Sequence, residues 1–179
     1  MLRTKAVSEE VHIADERIVH LGRSDVESLK ARVHATARKR IRLCAHKAVE
    51  DTLHEMFVVY VKETYVRPNK HLGKDESLHI LEGMADFVFF DDAGNITEVV
   101  PLGDFSSGRQ FYCRIPDSAY HTLLIRSDVI VIHESTPGPF ERADTIFAPW
   151  APEEVDVAAV EEYVARLASC LQSKEKPGR

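Results

Sequence analysis

The sequence predicts a mainly β protein: an antiparallel sandwich or barrel with one helix before it and one after it. Three observations carry this. Short β-rich runs recur between about residues 41 and 134, with turn residues between them. Helical spacing of apolar residues appears only near the two ends. Hydrophobic residues make up 44% of the 179, enough for an ordinary buried core in one domain with appendages.

Residues 1–22 have weak periodicity and mixed charge, and read as an arm or an edge strand. Ser24-Asp25-Val26-Glu27 has the form of a capping box. Val26, Leu29, Val33 and Ala37 then follow at helical spacing, which predicts a helix over about 24–37. Strands are expected at 41–46, 54–62, 64–68, 77–82, 85–91, 96–101, 109–115, 120–126 and 128–134. Asp91-Asp92-Ala93-Gly94-Asn95 supplies a hairpin loop, and 103–108 a second turn region. Pro137-Gly138-Pro139 is expected to end the β region. Val157, Val160, Val164, Leu167 and Leu171 predict a helix over about 153–172, and 173–179 a polar tail. The expected division is therefore 1–40 for the arm and first helix, 41–140 for the barrel, and 141–179 for the C-terminal extension and helix.

Composition excludes several classes. Net charge is −6 with no basic face, which argues against nucleic acid. The longest apolar runs, such as 129–132, are too short to span a bilayer, and the N-terminus has no apolar signal core. Cys44, Cys113 and Cys170 are far apart and form no CxxC pair, which fits a reducing cytoplasm.

The chemistry concentrates in two stretches. Residues 63–83 read ETYVRPNKHLGKDESLHILEG, and 115–123 read IPDSAYHTL. His71, Glu76 and His121 can supply two imidazoles and one carboxylate, a set that leaves positions open on a divalent metal. Asn69 and His71 share a face if their segment is extended, so an amide oxygen stands beside the ligands. Leu78 and Ile80 share the face of Glu76. The alternative is that the three residues merely hydrogen-bond inside the barrel.

The spacing resembles the cupin superfamily. Its first motif, Gly, five residues, His-x-His, three or four residues, Glu, six residues, Gly, is matched here by Glu63, Asn69-Lys70-His71, Glu76 and Gly83. Its second motif falls on Pro116, Ser118, His121 and Ile125. A closer resemblance covers about residues 24–155. The strings TYVRPNKH, ESLHILEG, FFDDAG, HESTPGPF and FAPWAPEE look like the WbuC-type cupin fold metalloproteins, which typically carry His where this chain has Asn69. The resemblance implies a jelly-roll barrel holding one divalent metal ion: zinc, iron, manganese or nickel. It implies no particular reaction, and associates the chain with surface-polysaccharide gene clusters. An amide in place of an imidazole shifts preference from copper towards zinc, manganese or ferrous iron.

Other residues fill candidate roles. Arg42, Cys44 and His46 alternate on one strand, where Arg42 and His46, with Asn69, can bind a substrate; a solvated edge strand is the bland alternative. Tyr65 and Tyr120 flank the ligand segments as candidate general acids, against ordinary core-and-rim aromatics. Glu134 is a candidate base or partner of a ligand His, against a surface ion pair. His79 is expected on the opposite face from Glu76, and Cys113 in the core. The expected function is a metal-dependent enzyme, isomerase- or epimerase-like, on a small polar or sugar-like metabolite. An Fe(II)-dependent dioxygenase and a non-catalytic small-molecule binder are the alternatives. A homodimer through sheet edges is expected, since open barrels leave edges to cover.

Overall fold

The computed structural model describes residues 1–175. The chain begins with two short strands, β1 (Thr4–Ala6) and β2 (Val11–Ala14), followed by helix α1 (Arg23–Val33). Next come β3 (Arg40–Cys44), β4 (Leu53–Val61), β5 (Asn69–His71), β6 (Glu76–Glu82), β7 (Met84–Phe90) and β8 (Ile96–Gly103). The chain continues through β9 (Tyr112–Ile115), β10 (Tyr120–Ile125), β11 (Val129–Pro137), β12 (Thr145–Phe147) and helix α2 (Val157–Glu175). A seven-stranded sheet runs β1-β2-β3-β4-β11-β6-β9, and a five-stranded sheet runs β12-β5-β10-β7-β8. All named pairings are antiparallel except β2 with β3.

The period-two pattern of the strands decides the layers. On β4, Met56, Val58 and Tyr60 face the interior, and Phe57, Val59 and Val61 face out towards α1. The interior is filled by Leu78, Ile80, Phe87, Leu123, Ile130 and Ile132. Outside the larger sheet, α1 lays Leu29 and Val33 on Ile41, Leu43, Val59 and Val131. Outside the smaller sheet, α2 lays Tyr163, Leu167 and Leu171 against Val88, Phe90 and Tyr120. β7 and β10 are thus covered on both faces, which is why they read as almost continuous apolar runs.

The structure corrects several expectations. The helix cap is Gly22, not Ser24: the Asp25 carboxylate accepts from the Gly22 N–H at 2.9 Å and from the Leu2 N–H at 2.7 Å. The expected strand at 64–68 is irregular, and the strand there is β5. Arm residues form β1 and β2, which extend the large sheet. The β region does not stop at Pro137-Gly138-Pro139, because β12 pairs with β5. Among the described residues the two sheets do not close into a barrel. They meet at the Leu102–Gln110 bridge, and a cleft of about 290 Å³ opens between β8 and β9, lined by Phe89, Val100, Cys113 and Ala119.

Candidate metal centre

Three strands converge on one point between the sheets. β5 contributes His71, the first residue of β6 is Glu76, and β10 contributes His121. The His71 Nε2 lies 3.1 Å from Glu76 Oε1, and the His121 Nε2 lies 3.4 Å from Glu76 Oε2. One ligand atom from each residue falls within 4.8 Å of the other two. Metal bonds of about 2.0–2.2 Å place neighbouring ligand atoms about 3.0–3.5 Å apart, so both short distances fit a shared coordination sphere. A cleft of about 550 Å³ borders the site at the rim, with Glu76, Gly73, Asp75 and Thr136 in its lining.

Hydrogen bonding around the imidazoles tests the fit. The His121 Nδ1 stands 2.9 Å from the Ala119 carbonyl, which can only accept. Nδ1 therefore carries a proton, and Nε2 faces a carboxylate oxygen of Glu76. Nε2 and that oxygen need a positive charge shared between them, either a proton on Nε2 or a metal bound to both. A divalent metal on Glu76 and His121 satisfies that demand, and the carbonyl fixes the ligating tautomer. The His71 Nδ1 meets the Thr145 hydroxyl at 3.2 Å, and a hydroxyl can serve either tautomer. Burial holds the His71 pKa below its ordinary value and keeps the ring neutral, against the pull of Glu76. Burial alone would raise Glu76, but the hydrogen bond from His121, and then that ring's charge, outweigh it and hold the carboxyl below its ordinary value. The residues present fit a two-imidazole, one-carboxylate metal.

Asn69 is the direct cross-strand partner of His121, and its Nδ2 donates to the Arg67 carbonyl at 3.0 Å. Glu134 stands inward on β11, between Met56 of β4 and Leu78 of β6, diagonal to Glu76. It is half-buried. Burial, then the charge of Glu76, pushes its pKa up to about 7. Arg42 is inward on β3, with Nη1 3.8 Å from the Met56 sulfur. His46 lies just past β3, stacked on His54 with ring centroids 4.0 Å apart, and its Nδ1 faces the Glu55 carbonyl at 3.2 Å. Burial, then His54, lowers its pKa.

The two tyrosines named from sequence are not brought to this point. Tyr120 neighbours His121 on the strand and so faces the other way, packed against Trp150 with the Lys70 ammonium 4.3 Å from its ring centroid. The Tyr65 hydroxyl donates to the Pro152 carbonyl at 3.1 Å, and its ring packs edge-on to Tyr163. The inward tyrosine is Tyr60, which the sequence analysis passed over. Its signal was there: it shares the alternating face of Met56 and Val58. Thr145 was missed because β12 was missed. His79 faces outward against Phe111, as expected, and Cys113 is half-buried.

Comparison with known proteins gives the fold a context. Residues 21–102 match the model of a family described as a domain of unknown function, DUF6016. No curated protein matches the chain. Protein SO0799 from Shewanella oneidensis superposes with a TM-score of 0.53 at 12% identity, over 74% of this chain and 87% of that one. The capsular polysaccharide assembling protein CapF from Staphylococcus aureus gives 0.47 at 14% identity, over 60% of this chain and 31% of that one. An oxalate decarboxylase from Lactobacillus farciminis gives 0.44 at 16% identity, over 54% of this chain and 27% of that one. The chain spans less than a third of the last two proteins, and at such identities nothing about their activities carries across. The solved structures similar to this chain include cupin-fold proteins. The protein is a mainly β, two-sheet jelly roll whose His71, Glu76 and His121 form a set able to hold a metal.

Proposed function

We propose that the protein is a metal-dependent enzyme of the WbuC-type cupin kind, with one divalent ion on His71, Glu76 and His121. Its substrate would be a small polar or sugar-like metabolite, and its reaction an isomerisation or epimerisation. The observation that carries this is the convergence of the His71 and His121 Nε2 atoms on the Glu76 carboxylate, at 3.1 and 3.4 Å, beside a second inward carboxylate, Glu134. When bound, the metal would polarise an oxygen of the substrate and acidify the adjacent C–H. Glu134 would take that proton and return it, a task suited to a carboxyl that titrates near neutrality. Arg42 would orient the substrate, His46 would support it at the rim, and Asn69 would contact it beside His121. Tyr65 and Tyr120 drop out of the proposal because they face away.

Metal analysis tests the first half. Purified protein incubated with zinc, manganese or ferrous iron should bind one ion per chain, and His121→Ala should bind none tightly. Chains that stay metal-free would refute it. Deuterium incorporation from heavy water into a hydroxylated metabolite would mark the isomerase, and Glu134→Gln should abolish it. The facial ligand set also suits a dioxygenase; oxygen uptake by the iron-loaded protein would favour that reading, and ligand binding without turnover would favour a binding protein. No helix among the described residues is long and apolar enough to cross a membrane. We also propose a homodimer in a reducing cytoplasm, with the exposed edge strand β1 as one contact. Sedimentation showing only monomer at micromolar concentration would refute the dimer.

A further inference from the structure

Among the described residues the inward charges of the central strands are Arg40, Arg42, Glu76 and Glu134, which balance two against two until a divalent ion is added. Arg40 is paired with Glu154 at 3.1 Å and with Glu10 at 3.6 Å. Arg42 has no carboxylate within ion-pair distance, and its guanidinium rests on the Met56 sulfur instead. Met56 and Glu134 are direct cross-strand partners, so the guanidinium leans towards the row that leads to the metal centre. A divalent ion on Glu76 leaves one positive charge, and Arg42 adds another. Glu134, even fully ionised, removes only one. With the metal bound, the ion, Arg42, Glu76 and Glu134 would together carry one positive charge, which a bound anion would offset.

Geometry adds a length. Met56, Glu134 and Leu78 stand side by side across β4, β11 and β6, and Leu78 is two residues from Glu76. Two strand spacings, about 10 Å, and the two-residue step along β6, about 7 Å, put about 12 Å between the two positions. Subtracting a metal–oxygen bond of about 2 Å and an N–H···O contact of about 3 Å leaves about 7 Å between the ligand's two oxygen groups. That is roughly the extended reach of a four- or five-carbon chain. Tyr60 lies on the same wall, close enough to Arg42, Glu134 and Glu76 to feel their charges. Burial, then Glu134, pushes its pKa up to about 12, so its hydroxyl remains a donor at neutral pH.

We propose that this interior binds a short hydroxylated anion, its carboxylate or phosphate forked on Arg42, a hydroxyl oxygen at the far end directed to the His71–Glu76–His121 face, and Tyr60 hydrogen-bonding between the two. This deepens the metal-enzyme reading by naming its substrate class, and rests on it for the surplus charge and for the far end.

Calorimetric titration of zinc-loaded and metal-free protein with erythronate, erythritol 4-phosphate and neutral erythritol tests it. At least one anion should bind the zinc-loaded protein ten or more times more tightly than erythritol, and which one does separates a carboxylate site from a phosphate site. Arg42→Met should weaken that anion tenfold or more and leave zinc affinity unchanged, while Arg42→Lys should fall between. Tyr60→Phe should weaken it severalfold. Equal binding of erythritol, an unaffected Arg42→Met, or no anion binding to zinc-loaded protein would each overturn the proposal. Should Arg42→Met fail to fold, Arg42→Lys and Arg42→Gln decide the same question. If zinc does not bind but an anion binds in an Arg42-dependent way, the metal reading fails and the anion pocket stands.

Discussion

Replacing Glu76 with glutamine removes the charge at the centre of the site while keeping its volume. The carboxylate is only 7% exposed and reaches both imidazoles, at 3.1 and 3.4 Å. Loss of a partner behind a ligand typically costs about 10–100-fold in metal affinity, so loss of the only charged ligand should cost at least about 100-fold. With zinc at about 100 times the wild-type dissociation constant, binding should stabilise the folded wild-type chain by about 2.7 kcal/mol. In Glu76→Gln the same zinc concentration only matches the dissociation constant, and the gain falls to about 0.4 kcal/mol. For a chain of this size about 2–4 °C of Tm accompany each kcal/mol. Zinc should therefore raise the wild-type Tm by about 5–11 °C and the variant's by about 1–2 °C. Thermal unfolding with and without zinc, followed by circular dichroism, reads this directly. Equal zinc-induced shifts in the two proteins would show that Glu76 is no ligand, and the site as described would be wrong.

Other perturbations test the frame around the site. Asp86 is 2% exposed and takes the Arg126 Nε at 2.6 Å and the Arg109 Nη1 at 3.3 Å. Both arginines can turn partly to water, so Asp86→Ala should cost about 2–3 kcal/mol in urea unfolding, below the usual toll for a buried pair broken on one side. Gly83 has φ +88°, and a Cβ there would stand 2.4 Å from the Val129 carbonyl oxygen. Gly83→Ala should destabilise by about 3 kcal/mol or more, seen as a lower urea midpoint. Burial would raise the Glu10 pKa, but the Arg38 hydrogen bond and the charges of Arg38 and Arg40 hold it below its ordinary value. A depressed carboxylate stabilises the fold above its unfolded pKa and loses that contribution as pH falls through the folded value. Glu10→Gln should therefore lose less stability than wild type between about pH 5 and pH 3 in denaturant titrations.

The alternation of Met56, Val58 and Tyr60, and of Glu76, Leu78 and Ile80, fixed the strands and their inward faces, because a half-buried strand must alternate to separate core from solvent. The ligand spacing around His71, Glu76 and His121 was legible for the same local reason: Asn69-x-His71 lies on one pleat, and a tight turn leads straight to Glu76. Short elements left no such trace. β1 and β12 are three residues each, too short to show a period, and exist because a neighbouring strand completes their hydrogen bonds. The tertiary structure alone decided the roles that depend on facing. It turned Tyr65 and Tyr120 away, brought Tyr60 in, and set Thr145 behind His71 and the Ala119 carbonyl behind His121. It also placed Glu134 beside Glu76, fifty-eight residues away in the chain. A carboxyl pKa pushed up to about 7, like the unmatched charge of Arg42, comes from which strands lie side by side. That is a property of the sheet order, which no single stretch of sequence contains.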